Sequence, residues 1–219
     1  MTDQSPSEIA LESRQAKAAR LFSPSAARNR DAIGDLLAGL LPPSARVLEI
    51  GSGTGEHAVS VCQRRPDIGW QPSDPDAVSR ASQNAWAAEM APNMRPSLDL
   101  DLTRPGWDAG LGGFDALVCL NVIHIAPWAV AEAIAAASRT LIAGDDSLVY
   151  LYGPYLEGAA TAPSNLDFDR SLKSRNAQWG VRARSDVEAL FAAAGWAAPD
   201  RHEMPANNLS LVFRRRSPL

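Results

Sequence analysis

The stretch Val47 to His57, VLEIGSGTGEH, sets three glycines, Gly51, Gly53 and Gly55, just beyond an apolar run that carries a carboxylate, Glu49. Glycines at alternate positions leave the backbone open to a closely approaching ligand. An acid two residues ahead of them favours a ligand that bears positive charge. A dinucleotide loop, G-x-G-x-x-G, would need glycine at position 56, where this chain has Glu56. A carboxylate held against a pyrophosphate in a low-dielectric cleft would cost on the order of several kcal/mol. Glu49 and Glu56 therefore argue against a nicotinamide cofactor.

S-adenosylmethionine carries an ammonium and a sulfonium and no phosphate, and it suits such a loop. Asp74, which closes the next apolar run, is placed to accept hydrogen bonds from both ribose hydroxyls. Asp101, in LDLDL, either reaches the adenine amino group, with Asp99 beside it, or caps the turn that follows. Asn121 leaves the apolar run of FDALVCLNVIHIAPW over the same cleft. The expected cofactor set is thus Glu49, Gly51, Gly53, Gly55, Asp74, Asp101 and Asn121. His124 is either a general base, with an ordinary pKa near working pH, or a hydrogen-bonded ring that shapes the cleft from beneath. Tyr155 is the other candidate for accepting a proton.

These residues need elements to hold them, and strand and helix patterns alternate along the chain. Ser23 as N-cap, Pro24 behind it and apolar residues from Ile33 to Leu41 on one face predict a first helix, which Pro42-Pro43 ends. Strands are expected at 46–50, 68–73, 96–102, 114–120 and 147–152, with helices at 56–65, 76–90 and 127–142 between them. Ser185, with Glu188 three residues on, reads as the cap of a last helix ending near Gly195. The tail HEMPANNLSLVFRR reads as two antiparallel strands joined by a turn at Pro205 to Asn208. Alternation followed by an antiparallel pair predicts an α/β fold with a seven-stranded, mostly parallel sheet whose C-terminal strand is antiparallel. The glycine loop then lies at the C-terminal edge of the sheet, where ligands bind in such folds. Residues 1–20 are expected to be a flexible extension and residues 21–219 a single domain.

The segment after the fifth strand, LYGPYLEGAATAPSNLDFDRSLKSRNAQWGVR, is polar in a way that strand alternation does not require. Tyr152, Asn165, Arg175, Trp179 and Arg182 are expected to line a substrate lid, with Asp169 among them. Arginines beside tyrosine and asparagine suit a small polar, anionic molecule. The alternative is a solvated loop with internal ion pairs such as Asp169 with Lys173. Asn207 is assigned to the same pocket, although Asn207-Asn208 also suits a plain turn. The segment Phe22 to Asn29 is expected to fold over the cofactor from the N-terminal side, with Arg28 and Asn29 facing the cleft as substrate-binding residues.

The chain has 219 residues, 46% of them hydrophobic, and a net charge of −4. That balance argues against nucleic-acid binding, because neutralising phosphates takes a cluster of Lys and Arg. The run Arg214 to Arg216 reads as a solvated strand end. Leu117 to Ala137 is broken by Asn121, His124, Pro127 and Glu132, and the N-terminus has no apolar core of a signal peptide. A cytoplasmic protein without a membrane partner is expected. Cys62 and Cys119 match no disulfide or zinc spacing and read as core thiols, and no metal site is expected.

The blocks SPSAARNRDAI, VLEIGSGTGEHAV, WQPSDPD, NVIHIAPW, LYGPY, SNLDFDRSLKSRN, WGVR and MPANNLSLVF together resemble the methyltransferase-like protein 26 family, from about Arg20 to Phe213. The glycine loop is common to class I S-adenosylmethionine methyltransferases; the other blocks are specific to this family. The resemblance implies the class I (Rossmann-like) three-layer sandwich and use of that cofactor, with no general substrate. Gly51 stands where alanine is common in the family. The expectation is a methyltransferase acting on a small molecule. Its alternatives are a non-catalytic S-adenosylmethionine-binding regulatory module and an NAD-dependent oxidoreductase.

Overall fold

The computed structural model describes residues 14–215. A hairpin of β1 (Gln15–Lys17) and β2 (Arg20–Phe22) leads into α1 (Pro24–Leu40), β3 (Arg46–Ile50), α2 (Glu56–Arg64), β4 (Gly69–Pro72) and α3 (Ala77–Met90). Then come β5 (Ala116–Leu120), α4 (Trp128–Leu141), β6 (Leu148–Leu156), α5 (Pro163–Arg175), β7 (Arg182–Ala183), α6 (Arg184–Ala193), β8 (Asp200–Met204) and β9 (Asn208–Arg214). The main sheet has the order β4-β3-β5-β6-β9-β8, with β7 beside the end of β6. Pairings among β3, β4, β5, β6 and β7 are parallel, while β9 runs antiparallel to both of its neighbours.

Two cores sandwich the sheet. On one face Ile33 and Leu37 of α1, Val59 and Val61 of α2 and Trp86 of α3 meet Val47, Val118 and Tyr150. On the other, Ile134 of α4 and Val187 and Phe191 of α6 meet Leu48, Leu117 and Leu151. Period-two alternation along each buried strand supplies both faces. Cys62 and Cys119 lie in these cores, and burial pushes the Cys119 thiol up to about 12. Among the described residues no helix is long and apolar enough to cross a membrane.

Several elements fall where expected. Ser23 caps α1 by accepting from the Ala26 N–H at 3.2 Å, with Pro24 in the first turn. Pro205–Asn207 forms the turn between β8 and β9. Others do not. The strand expected at 96–102 is reduced to one parallel bridge, Ser73 with Leu98, with a second, Trp70 with Met94, just ahead of it. Pro96 has no N–H for a ladder, and the Asp101 side chain accepts from Thr103 N–H at 3.0 Å, closing a turn instead. The seventh strand is β7, only two residues long. Ser185 does not cap α6: the helix begins at Arg184 behind Ala183, and Glu188 pairs with Arg184.

Residues 15–20 of the expected flexible extension are built into the fold. The Leu21 N–H donates to Ser82 Oγ at 2.8 Å, and the Arg20 guanidinium lies 4.7 Å from the Trp86 ring centroid. Residues 1–13 of that extension, and Arg216 of the basic run, lie outside the described residues.

Candidate functional site

A cleft of about 720 Å³ opens at the C-terminal ends of β3, β4, β5 and β6. Its size is that of a small-molecule site. The glycine loop forms one wall, and the three glycines serve different purposes there. Gly51 (φ +66°) lets the chain pass Val122, because a Cβ would fall 2.5 Å from Val122 Cγ2. Gly55 (φ +89°) packs on α3, where a Cβ would lie 3.1 Å from Gln83 Cα, and it is absent from the cleft wall. Its expected cofactor contact gives way to helix packing. Gly53 (φ +56°) lines the cleft, and a Cβ on it would meet nothing within 4 Å. The space in front of it is left for a ligand.

That contrast yields an expected result. Gly53→Ala should destabilise the fold by only about 1 kcal/mol, the penalty of left-handed backbone for an L-residue, yet weaken a ligand bound against the loop at least tenfold. Thermal unfolding and calorimetry on the same variant separate the two effects. Equal losses in both would place the ligand elsewhere.

The acids stand around the loop. Asp74 is buried, and its two oxygens accept from Gly53 N–H and Asp76 N–H, both at 2.9 Å. Each oxygen keeps acceptor capacity toward the cleft. Glu49 is 1% exposed and accepts from Trp70 Nε1 at 3.0 Å. Burial drives its pKa from near 4.5 to about 7, against the pull of hydrogen bonds from Ser52 and Trp70 and with a further push from Asp74. A buried acid poised in this way gains most from a cation beside it. Glu56, also buried, accepts from Ser23 N–H at 2.7 Å and Thr54 Oγ1 at 3.0 Å and pairs with Arg30, so it ties α1 to α2. Asp101 lines the cleft while serving its turn: the Thr103 hydrogen bonds, then Arg104, hold it below the usual carboxylate range. Asp99 sits apart, paired with Arg80.

Asn121 follows β5 at φ +63° and lines the cleft, and asparagine is among the residues that tolerate this backbone best. Arg28 and Asn29 reach the cleft from α1. Asn29 Nδ2 donates to Tyr152 Oη at 3.1 Å, and its Oδ1 lies 2.8 Å from His57 Nε2. His57, which the sequence reading passed over, lines the cleft, and burial followed by the Arg30 charge lowers its pKa to about 4. The available signal was His57 itself, two residues past the last glycine of the loop, at the start of the helix that the loop opens.

The two expected proton acceptors are placed differently. His124 is buried, and its Nδ1 accepts the Arg182 N–H at 3.3 Å, so the neutral ring carries its hydrogen on Nε2. Burial, then Arg182, lowers its pKa to about 3. With its Nδ1 lone pair turned to the Arg182 N–H, His124 fits by its position the second role expected of it, a ring that shapes the cleft from beneath. Its ring rests against β6 only because residue 153 is glycine, where a Cβ would lie 2.5 Å from Nε2. Tyr155 points into the opposite core, edge-on to His124 with centroids 5.3 Å apart, and does not line the cleft. Burial raises its pKa, and its hydroxyl meets no hydrogen-bond partner among the described residues.

The expected lid is mostly the helix α5. Asn165 and Trp179 line the cleft; Arg175, Arg182 and Asn207 do not. Arg182 is spent on backbone, donating to the carbonyls of Ile123 (2.9 Å), Ala126 (2.6 Å) and Gln178 (2.9 Å). Arg175 is exposed near the end of α5. Asn207 Nδ2 donates to Ser164 Oγ at 2.9 Å and pins the β8–β9 turn to α5. The Asp169–Lys173 pair exists at 2.7 Å, as the solvated-loop alternative required, but Asp169 Oδ1 also accepts Val181 N–H at 2.9 Å. Asn208, the other member of the Asn207-Asn208 pair, lines the cleft, and pocket residues that the sequence did not suggest include Arg14, Ser164 and Phe168.

A parallel sheet ending in an antiparallel strand, with a glycine-loop cleft at its C-terminal edge, defines the class I methyltransferase fold. The solved structures agree. The chain is similar to an O-methyltransferase family protein from Burkholderia thailandensis, at 14% identity and a TM-score of 0.74, over 86% of this chain and 56% of that one. It is similar to CalO1, a methyltransferase in calicheamicin biosynthesis solved with SAH bound, at 17% identity and a TM-score of 0.69, over 88% and 54%. A TehB-like SAM-dependent methyltransferase from Corynebacterium glutamicum aligns at 16% identity and a TM-score of 0.60, over 84% and 87%. This chain thus spans little more than half of the first two proteins. At such identities the likeness establishes the fold. A family model described as a protein of unknown function (DUF938) matches residues 20–215, and the chain belongs to that family.

Proposed function

We propose that this protein is an S-adenosylmethionine-dependent methyltransferase acting on a small molecule, related to the methyltransferase-like protein 26 family. The observation that carries this reading is the open face of Gly53 beside Asp74, in a loop backed by the buried acid Glu49. The fit is chemical. Asp74 takes the ribose hydroxyls, Glu49 answers the positive charge, Arg28 answers the carboxylate, and Asn121 and Asp101 close the adenosine side. When bound, the cofactor would supply an electrophilic methyl group, which the acceptor's nucleophile takes by direct displacement while the neutral thioether S-adenosylhomocysteine leaves. The chain's own residues orient the acceptor and exclude water, and positioning accounts for much of such a rate.

A regulatory module is the second reading, favoured by one observation: neither expected proton acceptor offers a lone pair to the cleft, since His124 Nδ1 accepts the Arg182 N–H and Tyr155 lies in the core. The NAD reading meets a buried carboxylate on the cleft wall, Glu49, whereas Glu56 is turned away from the cleft to Arg30 and Ser23. Calorimetry with S-adenosylhomocysteine and with NADH tests the cofactor. Saturable binding of the first and none of the second is expected, and the reverse would overturn the reading.

Glu49 adds a signature. A cation bound beside it lowers its raised pKa, so binding near pH 7 releases a proton and affinity rises as pH climbs from 6 to 8, levelling off once the free protein's Glu49 is ionised. Calorimetry of S-adenosylmethionine in buffers of different ionisation enthalpy reads that proton directly. Proton uptake would contradict the placement of the cation at Glu49.

A further inference from the structure

We propose that the acceptor is an uncharged small molecule with a flat apolar body, carrying a hydroxyl or N–H that donates to Asn165 Oδ1. The proposal rests on the methyltransferase reading and names its substrate class. Away from the glycine loop the cleft wall is apolar, formed by Ile125, Pro127, Pro154, Phe168, Trp179 and Pro205. Trp179 is 8% exposed and anchored on Leu172 and Val181, whereas Phe168 on α5 is 36% exposed at the cleft. Two aromatic rings beside a row of prolines favour a planar ligand that gains from burial and stacking.

The amides of this wall have a defined sense. Asn165 Nδ2 donates to the carbonyls of Tyr155 (3.3 Å) and Asn207 (3.0 Å), and Asn208 Nδ2 donates to those of Pro205 (2.8 Å) and Ala206 (3.4 Å). Carbonyl partners cannot accept from an amide oxygen, so neither amide can be flipped. Each leaves its Oδ1 without a partner among the described residues, on a side chain that lines the cleft. The wall therefore presents acceptors. A carboxylate or phosphate, itself only an acceptor, would be repelled there, and the guanidinium that might have answered it, Arg182, is bound to three carbonyls. Among the described residues, the two cations that do line the cleft lie on the cofactor side: Arg14 donates to Ser79 Oγ at 3.0 Å beside Asp74 and Asp76, and Arg28 is answered by the cofactor's carboxylate in the proposed complex.

The test is calorimetry of three naphthalenes on the full chain saturated with S-adenosylhomocysteine. Binding of 2-naphthol should be at least tenfold tighter than that of 2-naphthoate, and at least fivefold tighter than that of 2-methoxynaphthalene, which has no hydrogen to donate. Phe168→Ala and, separately, Trp179→Ala should weaken 2-naphthol at least fivefold and leave S-adenosylhomocysteine unchanged; the half-exposed Phe168 keeps the test valid if the Trp179 variant misfolds. Naphthoate binding as tightly as naphthol, methoxynaphthalene matching naphthol, or no naphthalene binding at all would each overturn the proposal. If S-adenosylhomocysteine fails to bind while the same order holds on the free protein, the cofactor reading falls and the acceptor pocket stands.

Discussion

Replacing Asp74 by Ala is expected to weaken S-adenosylmethionine binding by about 2–4 kcal/mol, roughly 30- to 1,000-fold in Kd. The range follows from two hydrogen bonds to a charged group, about 1.5–3 kcal/mol each, partly offset by water. The fold should lose less than the ligand does. Burial raises the Asp74 pKa, so losing its charge costs no stability at neutral pH, and the Gly53 and Asp76 N–H groups left without their acceptor lower Tm only as far as water from the open cleft fails to replace it. Asp74→Asn keeps one oxygen for the Gly53 N–H and should fall between wild type and Asp74→Ala. Calorimetry with parallel thermal unfolding decides the matter. Unchanged affinity in the alanine variant would show the ribose to be held elsewhere.

Arg182→Ala is expected to act in the opposite sense, lowering stability by about 2–4 kcal/mol with the pocket's chemistry intact in whatever fraction stays folded. The guanidinium is the common partner of three carbonyls and lies 5.7 Å from the Trp128 ring centroid, so it staples the 121–127 segment to the chain leading into β7. Its removal strands acceptors that are partly shielded from water, at about 1–3 kcal/mol for each buried one. For a chain of this size that is a fall in Tm on the order of 4–16 °C. Arg182→Lys should not restore it, since a point charge cannot serve three carbonyls that a planar fork reaches at once. Calorimetric scanning reads the shift. Undiminished stability with lost acceptor binding would return Arg182 to the substrate-binding role its neighbourhood in the sequence suggested.

The contrast between Asp74 and Arg182 shows what was legible. Asp74 follows a strand, and a strand's end places its next side chain at the sheet edge whatever the rest of the chain does. Arg182 lies beyond α5, and its destination depends on how that helix docks. The helix itself escaped the sequence reading because its buried side carries Asn165, Asp169 and Leu172, two polar residues and one apolar. Hydrophobic periodicity cannot register a face held down by hydrogen bonds to Tyr155, Asn207 and Val181. The strand expected at 96–102 failed for the converse reason. Alternating leucines and aspartates imitate a half-buried strand, while Pro96 and the turn at Asp101 break its ladder.

Local rules were enough wherever one residue's chemistry acts on its own neighbourhood. Ser23-Pro24 starts α1, Pro205 to Asn208 turns β8 into β9, and the spaced glycines behind Glu49 open the backbone toward a ligand. By itself the sequence determined the alternating fold, the position of the cleft and the acids around it, because backbone geometry and side-chain period act over a few residues. Only the tertiary structure decided which face each later side chain meets. It turned Tyr155 into the core, bound His124 beneath the cleft and spent Arg182 on carbonyls, so the cleft wall away from the glycine loop was left to aromatic rings, prolines and amides. Those outcomes depend on contacts between residues far apart in the chain, such as Gly153 making room for His124 and Asn207 pinning α5. No short window of sequence contains both partners.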